Sequence, residues 1–284
     1  MSVTHSDLIA FYESKTQAIL RRYGPGPRVH YHTGLAEDEY IGEADASRLR
    51  AVLVQSQENL LHHAAKVWRF ESLRDREVLD VGCGLGGGAL FLAQEFGARV
   101  TALTIVPSHA KLVQGFAALA GVSGLVTPIV GDASEVPGEN RFDAAIAIDS
   151  SSSFPRAPWF RRLAKVLRPG GRVLIADCFL EDPEYREPFD SHWCAQIGTL
   201  SEYLDAAHSA GFRQESIEDL SQQAKNFWSL SLSLMRAEME SRAPDASSNG
   251  RLEDSRRMHA LVREGLANGE LRYELLHFAK LFPN

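Results

Sequence analysis

The sequence has few cysteines, no long apolar run and no excess of positive charge. Its three cysteines, Cys83, Cys178 and Cys194, form neither a disulfide framework nor a metal-spaced pair. The formal net charge of -7 argues against non-specific nucleic-acid binding, which needs clustered cations. No apolar stretch approaches the roughly 20 residues of a membrane span, and the N-terminal residues lack the pattern of a signal peptide. We therefore expect a cytoplasmic protein that does not bind nucleic acid and has no membrane span.

Strand-like and helical patterns alternate along most of the chain. We predict helices at residues 4–23, 46–71, 86–96, 107–120 and 156–167, and strands at 77–81, 99–104, 126–130, 142–148, 172–177, 212–218 and 273–281. Residues 184–211 and 220–268 form longer helical insertions, and residues 244–250 (PDASSNG) form a polar break between two helices. Because short loops join the strands to the helices, we expect a parallel sheet with helices on both faces.

The most informative motif is VLDVGCGLGG at residues 78–87, an apolar strand that runs into a glycine-rich turn and a helix. Glycines let the backbone approach a ligand, and a helix N-terminus offers free N–H groups and partial positive charge. Gly82, Gly84 and Gly87 fit the dinucleotide pattern G-x-G-x-x-G. An NAD site also requires an acid at the end of the next strand, where Thr104 stands. The motif therefore predicts a nucleotide cofactor other than NAD.

Two acids favour S-adenosylmethionine as this cofactor. Asp80 precedes the glycine turn, where a carboxylate acts toward the cationic methionine end through loop amides or a water. Asp132, in the turn after the third strand, can accept a hydrogen bond from the adenine amino group. Residues 167–171 (LRPGG) then lead into the fifth apolar strand. In order and spacing these pieces resemble the class I S-adenosylmethionine-dependent methyltransferases over residues 60–180.

The resemblance implies a single Rossmann-like α/β domain with a seven-stranded, mostly parallel sheet. Residues 1–60 would form a helical lid, residues 61–180 the cofactor-binding core, and residues 181–284 the acceptor-pocket helices and last strands. Residues 103–109 (LTIVPSH) resemble the LTISPxQ segment of sterol, tocopherol and small-molecule methyltransferases, with His109 in place of the glutamine. The cofactor contacts that the resemblance implies are Asp80, Gly82, Gly84, Gly86, Thr104, His109, Asp132 and Ala133.

Residues 147–155 (AIDSSSSFP) bear on the reaction. They resemble the IEATxHAP segment of sterol C-methyltransferases and the NESxxY segment of geranyl diphosphate C-methyltransferases. Both groups methylate an alkene carbon, and the acid of their segments maps onto Asp149. A carboxylate at this position can stabilise the carbocation that methyl transfer leaves and can remove a proton from it. Alternatively, Asp149 caps the next helix or binds loop amides.

Residues 28–34 (RVHYHTG) resemble the RxHYHxG segment of prenyl diphosphate methyltransferases, which would fold over the pocket. His, Tyr and Arg side chains can bind a diphosphate directly or hold water on Mg²⁺. The alternative is a structural loop whose ring nitrogens satisfy buried polar groups. We take Asp149, Tyr31 and His192 as candidate catalytic residues. The candidate acceptor contacts are Arg28, His30, Tyr31, His32, Ser150, Phe154, Trp193, Tyr203 and Phe227.

These patterns predict a C-methyltransferase that acts on an alkene carbon of isopentenyl, geranyl or farnesyl diphosphate. Mg²⁺ is expected as a second cofactor, held by the diphosphate and water rather than by an acidic cluster. An O- or N-methyltransferase of a natural product remains open, because a histidine base would suffice for that chemistry. Thr104 and Asp132 count against an NAD-dependent or non-catalytic nucleotide-binding protein. The N-terminal helix fits a lid or a contact in a homo-oligomer.

Overall fold

The apolar runs of the sequence form the strands of one sheet. In the computed structural model, which describes residues 4–39, 45–240 and 246–282, the described strands are β1 (Glu77–Val81), β2 (Arg99–Thr104), β3 (Val126–Val130), β4 (Phe142–Ile148), β5 (Leu167–Leu180), β6 (Phe212–Asp219) and β7 (Leu271–Lys280). These described strands form a seven-stranded sheet in the order β3-β2-β1-β4-β5-β7-β6. Neighbours among β1 to β5 pair in parallel, whereas β7 runs antiparallel to β5 and β6. The predicted Rossmann-like fold is confirmed.

Helices connect the strands and flank the sheet. The described helices are α1 (His5–Tyr23), α2 (Ala46–Val67), α3 (Gly87–Phe96), α4 (Pro107–Leu119), α5 (Arg156–Val166), α6 (Arg186–Trp193), α7 (Leu200–Ser209), α8 (Ser221–Glu240) and α9 (Ala246–Asn268). Thr4 and Asp7 start α1 with a capping box, in which each side chain binds the other residue's backbone N–H. None of the described helices combines the length and the apolar character that crossing a membrane requires.

The helix α2 ends earlier than its periodicity predicts. The pattern of apolar residues continues through residues 46–71, but the helix stops at Val67. Arg69 takes a left-handed φ of 56°, and a 3₁₀ turn, Phe70–Leu73, follows. The apolar residues of this turn are buried, as they would be on the inner face of a helix. The apolar periodicity therefore continues past the residue where α2 ends.

Two other boundaries also differ from the prediction. The fifth strand was expected at residues 172–177, yet β5 continues because β7 pairs with it in register over residues 172–180. That partner comes about 100 residues later and leaves no local signal. The polar break expected at residues 244–250 lies partly outside the described residues, since 241–245 are not described, and helix α9 already begins at Ala246.

The core lies on both faces of the sheet, because alternate residues of each buried strand point to opposite sides. In β4, Ile146 packs in the cluster that contains Phe91 of α3, whereas Ala147 packs in the cluster with Trp159 of α5 and Tyr203 of α7. All five side chains are at most 1% exposed. The two clusters hold the strands rigidly, so the carboxyl ends of the parallel strands present loops in fixed positions.

The helix α1 lies across these carboxyl ends. Leu8, Tyr12, Ile19 and Tyr23 line the cavity there and recur at helical spacing, so one face of α1 forms its roof. The segment that follows α1, residues 28–35, continues over the cavity and is called the lid segment below. The fold therefore encloses a site between the sheet edge, α1 and the lid segment.

Candidate active site

A cavity lies at the carboxyl ends of β1 to β5. Its volume is about 430 Å³, within the range of about 300–1,000 Å³ that is typical of small-molecule sites. Most of the residues predicted from the sequence meet in its wall: Asp80, Gly82, Gly84, Thr104, His109, Asp132, Ala133, His30, Tyr31, His32, Asp149, Ser150, Phe154, Trp193 and Phe227. The wall does not include Gly86, Arg28, His192 or Tyr203.

The glycine-rich turn follows β1 and forms the floor of the cavity. Gly82 has a left-handed φ of 74°, and a Cβ built there would lie 2.6 Å from the Cβ of Ser150. Gly84 also has a positive φ, of 52°, and a Cβ there would meet nothing within 4 Å, because its backbone faces open space. The prediction that Gly86 contacts the cofactor is not supported by its position: it begins α3 instead, with its N–H bonded to the Cys83 carbonyl at 2.8 Å.

Asp80 supplies a buried carboxylate beside this turn. Its side chain lines the cavity, and Oδ2 has no hydrogen-bond partner among the described residues. Burial raises the pKa of Asp80 to about 7, and the Ala89 amide offsets this in part. A buried polar atom without a partner is costly unless a ligand satisfies it. The ammonium group at the methionine end of S-adenosylmethionine has the required charge and donors, so the site fits the predicted cofactor.

Asp132, Ala133 and Thr104 line the cavity at the ends of β3 and β2. Asp132 Oδ1 accepts the backbone N–H of Ser134 at 2.7 Å, and Oδ2 lies 2.8 Å from Nε2 of His5 on α1. The Thr104 hydroxyl accepts the N–H of Val106 at 3.1 Å, which fixes the start of the following loop. These contacts orient both side chains and connect α1 to the region where the adenosine end is expected.

His109 joins α4 to α1. Its Nε2 lies 2.8 Å from the Thr16 hydroxyl, which itself donates to the Tyr12 carbonyl at 2.9 Å. Since that donation uses the only hydroxyl proton, Nε2–H of His109 must be the donor to Thr16. Burial lowers the pKa of His109 to about 4, so the ring is neutral at pH 7 and its Nδ1 is an acceptor.

Asp149 lies at the end of β4 with a left-handed φ of 46°. Its Oδ2 accepts the backbone N–H of Thr33 at 2.5 Å, and its Oδ1 accepts the Tyr273 hydroxyl at 2.7 Å. Burial raises its pKa, and both hydrogen bonds offset part of that shift. The carboxylate does not cap α5, whose first turn follows Pro155. It connects the lid segment to β7 instead.

A second acid in the wall, Asp177, was missed at the level of sequence. It interrupts the apolar run of β5, and its Oδ2 accepts the hydroxyl of Ser151 at 2.6 Å and the N–H of Ser152 at 3.2 Å. Burial and the charge of Asp149 raise its pKa to about 7. The available signal was an acid within the otherwise apolar segment VLIADCFL, since such a residue is rarely buried without a reason.

Arg28, predicted as a substrate contact, lies outside the described wall of the cavity. Its guanidinium binds Glu95 at 2.8 Å and Glu58 at 3.0 Å. His30 and His32 do line the wall, but their ring nitrogens are taken up by neighbours: His30 Nε2 contacts Glu58 at 2.7 Å, and His32 Nδ1 contacts the Thr33 carbonyl at 2.7 Å. The faces and edges of these two imidazole rings therefore line the cavity.

His192 and Tyr203 also lie outside the cavity wall. The ring of His192 packs edge-on against Trp193, with centroids 4.7 Å apart, and burial lowers its pKa to about 4. Tyr203 is fully buried on the other face of the sheet, where its hydroxyl lies 3.0 Å from that of Ser151. Its ring contacts Phe179 because α7 packs against β5 there.

The wall of the cavity is rich in aromatic side chains, and no Lys or Arg occurs among the described wall residues. Its Phe, Tyr and Trp rings come from Tyr12, Tyr23, Tyr31, Phe154, Phe189, Trp193, Phe227, Trp228 and Tyr273. The acids of the wall are Asp80, Asp132, Asp149 and Asp177. Within the described ranges, no three His, Cys, Asp or Glu side chains are grouped so that they could hold a metal ion. The cavity therefore favours apolar and cationic groups.

Comparison with known proteins identifies the family. A family profile described as a methyltransferase domain matches residues 78–171. The O-methyltransferase rstn1 of Aspergillus nomiae is 31% identical over 161 residues, which span 54% of this chain and 71% of that protein. The chain belongs to the class I S-adenosylmethionine-dependent methyltransferases. The predicted family is thereby confirmed, and S-adenosylmethionine is the cofactor of that family.

Two plant relatives and a solved structure have lower sequence identity to this chain. The chloroplastic tocopherol O-methyltransferase of Arabidopsis thaliana is 25% identical over 218 residues, which are 70% of this chain. The chain spans 62% of that protein and 47% of a rice relative with a similar name. Geranyl diphosphate C-methyltransferase from Streptomyces coelicolor A3(2), solved with Mg²⁺, geranyl-S-thiolodiphosphate and S-adenosyl-L-homocysteine, superposes with a TM-score of 0.81 at 17% identity over 99% of this chain and 100% of that one. This likeness shows the shared fold.

Proposed function

We propose that this protein moves the methyl group of S-adenosylmethionine to an alkene carbon of an isoprenyl diphosphate. The observation that carries the proposal is the carboxylate of Asp149 in the wall of a largely aromatic cavity. A π-bond that attacks the methyl group forms a C–C bond and leaves a carbocation on the acceptor. A nearby carboxylate stabilises this charge and then takes a proton, which restores an alkene. In this proposal, Asp149 takes up the proton that the carbocation loses.

The cofactor side of the cavity prepares this transfer. When bound, S-adenosylmethionine supplies an electrophilic methyl group. Gly82 and Gly84 give it room along the backbone, Asp80 would hold its ammonium group, and Asp132 with His109 would contact its adenosine end. Such positioning accounts for much of the rate, because transfer needs the acceptor carbon roughly 3–3.5 Å from the methyl group.

The contacts of Asp149 support a role as a base. Its two oxygens are held by the Thr33 N–H and the Tyr273 hydroxyl, and each carboxylate oxygen has a further lone pair for the acceptor. Burial raises its pKa, which is the direction that favours a general base working near neutral pH. Tyr31 adds a ring to the wall rather than a base, since burial raises the pKa of its hydroxyl far above the ordinary value.

The acceptor side suits a hydrocarbon chain and a positive charge. Trp193 and Trp228 lie with ring centroids 6.1 Å apart, and Phe227 adjoins Trp228. Their π-faces attract cations, and their area is apolar. The fold is shared with a geranyl diphosphate C-methyltransferase, which also supports the proposal.

The diphosphate requires Mg²⁺ in this proposal, because no Lys or Arg lies in the described wall of the cavity. The metal would be held by diphosphate oxygens and water. The test is incubation with methyl-labelled S-adenosylmethionine and isopentenyl, geranyl or farnesyl diphosphate, with Mg²⁺ or with EDTA. We expect label in one prenyl product with Mg²⁺ and none with EDTA. Absence of label from all three products would overturn the substrate class, and turnover in EDTA would overturn the metal requirement.

A second candidate, N-methylation of an amine, rests on a different observation. The charge of Asp149 contributes to the raised pKa of Asp177, and neither acid has a cationic partner among the described residues. An ammonium-bearing acceptor would supply that charge. Adding small amines to the same assay distinguishes the two candidates, since label then enters an N-methyl product. The same assay tests the predicted O-methylation alternative, since the label would then be on an oxygen of the product.

A further inference from the structure

Helix α9 places a histidine in the cavity wall. His259 is buried and lines the cavity, and its ring packs edge-on against Trp228 with centroids 4.8 Å apart. Its Nδ1 lies 3.0 Å from the hydroxyl of Ser231 on α8. Its other ring nitrogen, Nε2, has no hydrogen-bond partner among the described residues. His259 therefore has one polar atom left for a ligand.

The contact with Ser231 determines which nitrogen of His259 carries the ring proton. Burial and nearby cations hold the pKa of His259 well below its ordinary value, so the ring is neutral at pH 7 and has one N–H. The Ser231 hydroxyl is buried, and His259 Nδ1 is its partner among the described residues. Since a buried hydroxyl proton needs an acceptor, Ser231 donates to Nδ1. The ring proton is therefore on Nε2, which makes the free nitrogen a donor.

Lys15 brings a positive charge to the same region. It lies one turn after Tyr12 and one turn before Ile19, two residues of α1 that line the cavity, although Lys15 itself is outside the described wall. Its charge contributes to the lowered pKa of both His259 and His192. The ammonium group therefore lies near α9 and near the end of α6. Burial lowers the pKa of Lys15 to about 8, which leaves it protonated at pH 7.

The charge of Lys15 has no carboxylate partner among the described residues. Its ammonium group lies 4.0 Å from the centre of the Phe11 ring instead. The four acids of the wall, in contrast, all lie in the strands β1 and β5 or in the turns after β3 and β4. The cavity therefore has an acidic end at the sheet and a basic end between α1 and α9. A half-buried cation without a partner is satisfied by an anionic ligand.

We propose that Nε2–H of His259 and the ammonium group of Lys15 bind the diphosphate head group of the acceptor, which enters as its Mg²⁺ complex. Mg²⁺ reduces the charge of the diphosphate, and the ammonium group balances the remainder. The Lys15 side chain is long and flexible and has three donors, so it can turn toward a ligand in the cavity. The identity of the ligand rests on the proposed function, whereas the anion site itself does not.

Binding of inorganic pyrophosphate in excess Mg²⁺ tests this site without turnover. Calorimetry on protein saturated with S-adenosylhomocysteine measures the Kd for pyrophosphate. We expect Lys15→Met to raise this Kd about 10-fold, the effect of losing a charged hydrogen bond, and Lys15→Arg, which keeps the charge, to retain most of the affinity. The matched control is Lys111→Met, which removes an exposed lysine of α4 outside the described wall and should leave the Kd unchanged.

His259→Asn tests the second donor of the site. Asparagine keeps a polar atom that can bond Ser231, but it has no atom at the position of Nε2. We expect the Kd for pyrophosphate to rise about fivefold, the effect of losing one neutral hydrogen bond. The affinity of each variant for S-adenosylhomocysteine should equal that of the wild type, which shows that the cofactor side of the cavity is intact.

Wild-type protein that does not bind pyrophosphate in Mg²⁺ would overturn the proposal. An unchanged Kd in a folded Lys15→Met protein, or an equal loss of affinity in Lys111→Met, would also overturn it. With geranyl diphosphate as acceptor, we expect Lys15→Met to raise KM about 10-fold with little change in kcat, because binding is lost rather than chemistry. Pyrophosphate binding that depends on Lys15, without any prenyl product, would remove the proposed function and leave the anion site in place.

Discussion

At the scale of single residues, the site is built around acids whose charges the protein itself leaves partly uncompensated. Oδ2 of Asp80 has no hydrogen-bond partner among the described residues, and the charge of Asp149 contributes to the raised pKa of Asp177. Burying such groups lowers the stability of the folded chain, and the cost is offset when a cationic ligand or intermediate is present. The carboxylates therefore mark where positive charge is expected, at the cofactor and at the reacting carbon.

Asp80→Asn tests the cofactor end of this account. Asparagine removes the negative charge, so we expect the Kd for S-adenosylhomocysteine to rise about 10- to 100-fold, the effect of losing a charged hydrogen bond. In the wild type, Asp80 has a pKa of about 7 and is protonated below it, so binding should weaken as pH falls from 8 to 6. Calorimetry at several pH values measures both effects.

The matched control is Asp143→Asn, an acid that pairs with Arg168 at 2.5 Å outside the cavity. It should leave the affinity and its pH dependence unchanged. If Asp80→Asn bound S-adenosylhomocysteine as tightly as the wild type does at pH 8, the role of Asp80 Oδ2 in cofactor binding would be wrong.

Only part of this residue-level picture could be predicted from the sequence. Asp80, Asp132 and Asp149 follow strands in recognisable motifs, so their positions near the cavity were predictable. The partners of Asp149 were not, because Thr33 and Tyr273 lie 116 and 124 residues away in the chain. Asp177 was not predicted as a cavity residue, because it lies within the strand β5 rather than in a loop after it. The motif also does not reveal that Arg28 pairs with Glu58 and Glu95.

At the scale of elements, α1 acts as the roof of the cofactor cavity. Its contacts reach three different parts of the core: His5 meets Asp132, Thr16 meets His109, and Arg22 meets Glu238 at 2.7 Å. Ile19 and Tyr23 of α1 also pack in the hydrophobic core, so the polar contacts orient a roof that apolar packing holds in place as well.

Thr16→Val tests the role of α1 as the roof. Valine has nearly the same shape but cannot accept the His109 proton, and one buried hydrogen bond contributes about 1 kcal/mol. We expect S-adenosylhomocysteine to dissociate about fivefold faster, as measured by stopped-flow fluorescence. Ser14→Ala is the control, since Ser14 is exposed and bonds only the Phe11 carbonyl of its own helix. An unchanged dissociation rate in Thr16→Val would contradict a roof held by this contact.

The elements themselves were largely predictable. The strands β1 to β4 lie at the residues that the apolar runs predicted, because buried parallel strands are short and bounded by polar or glycine residues. The exceptions have physical causes outside the local pattern. Arg69 ends α2 through a left-handed backbone, and β5 is extended by pairing with β7.

At the scale of the whole molecule, the fold sets an aromatic, acidic cavity between a sheet edge and a helical roof. The net charge of the chain is -7, and the described cavity wall contributes four acids and no Lys or Arg. An anionic acceptor must therefore arrive with its charge neutralised, whereas a cation formed inside is stabilised. This distribution of charge connects the proposed Mg²⁺ requirement with the proposed carbocation chemistry.

The most direct test follows the fate of a CD₃ group transferred from labelled S-adenosylmethionine to geranyl diphosphate by the wild type and by Asp149→Asn. For the wild type we predict CD₃ on an alkene carbon, with a newly placed double bond. For Asp149→Asn we predict a single-turnover rate at least about 100-fold lower and unchanged affinity for S-adenosylhomocysteine. CD₃ on oxygen or nitrogen, or an undiminished rate in the folded variant, would contradict the account.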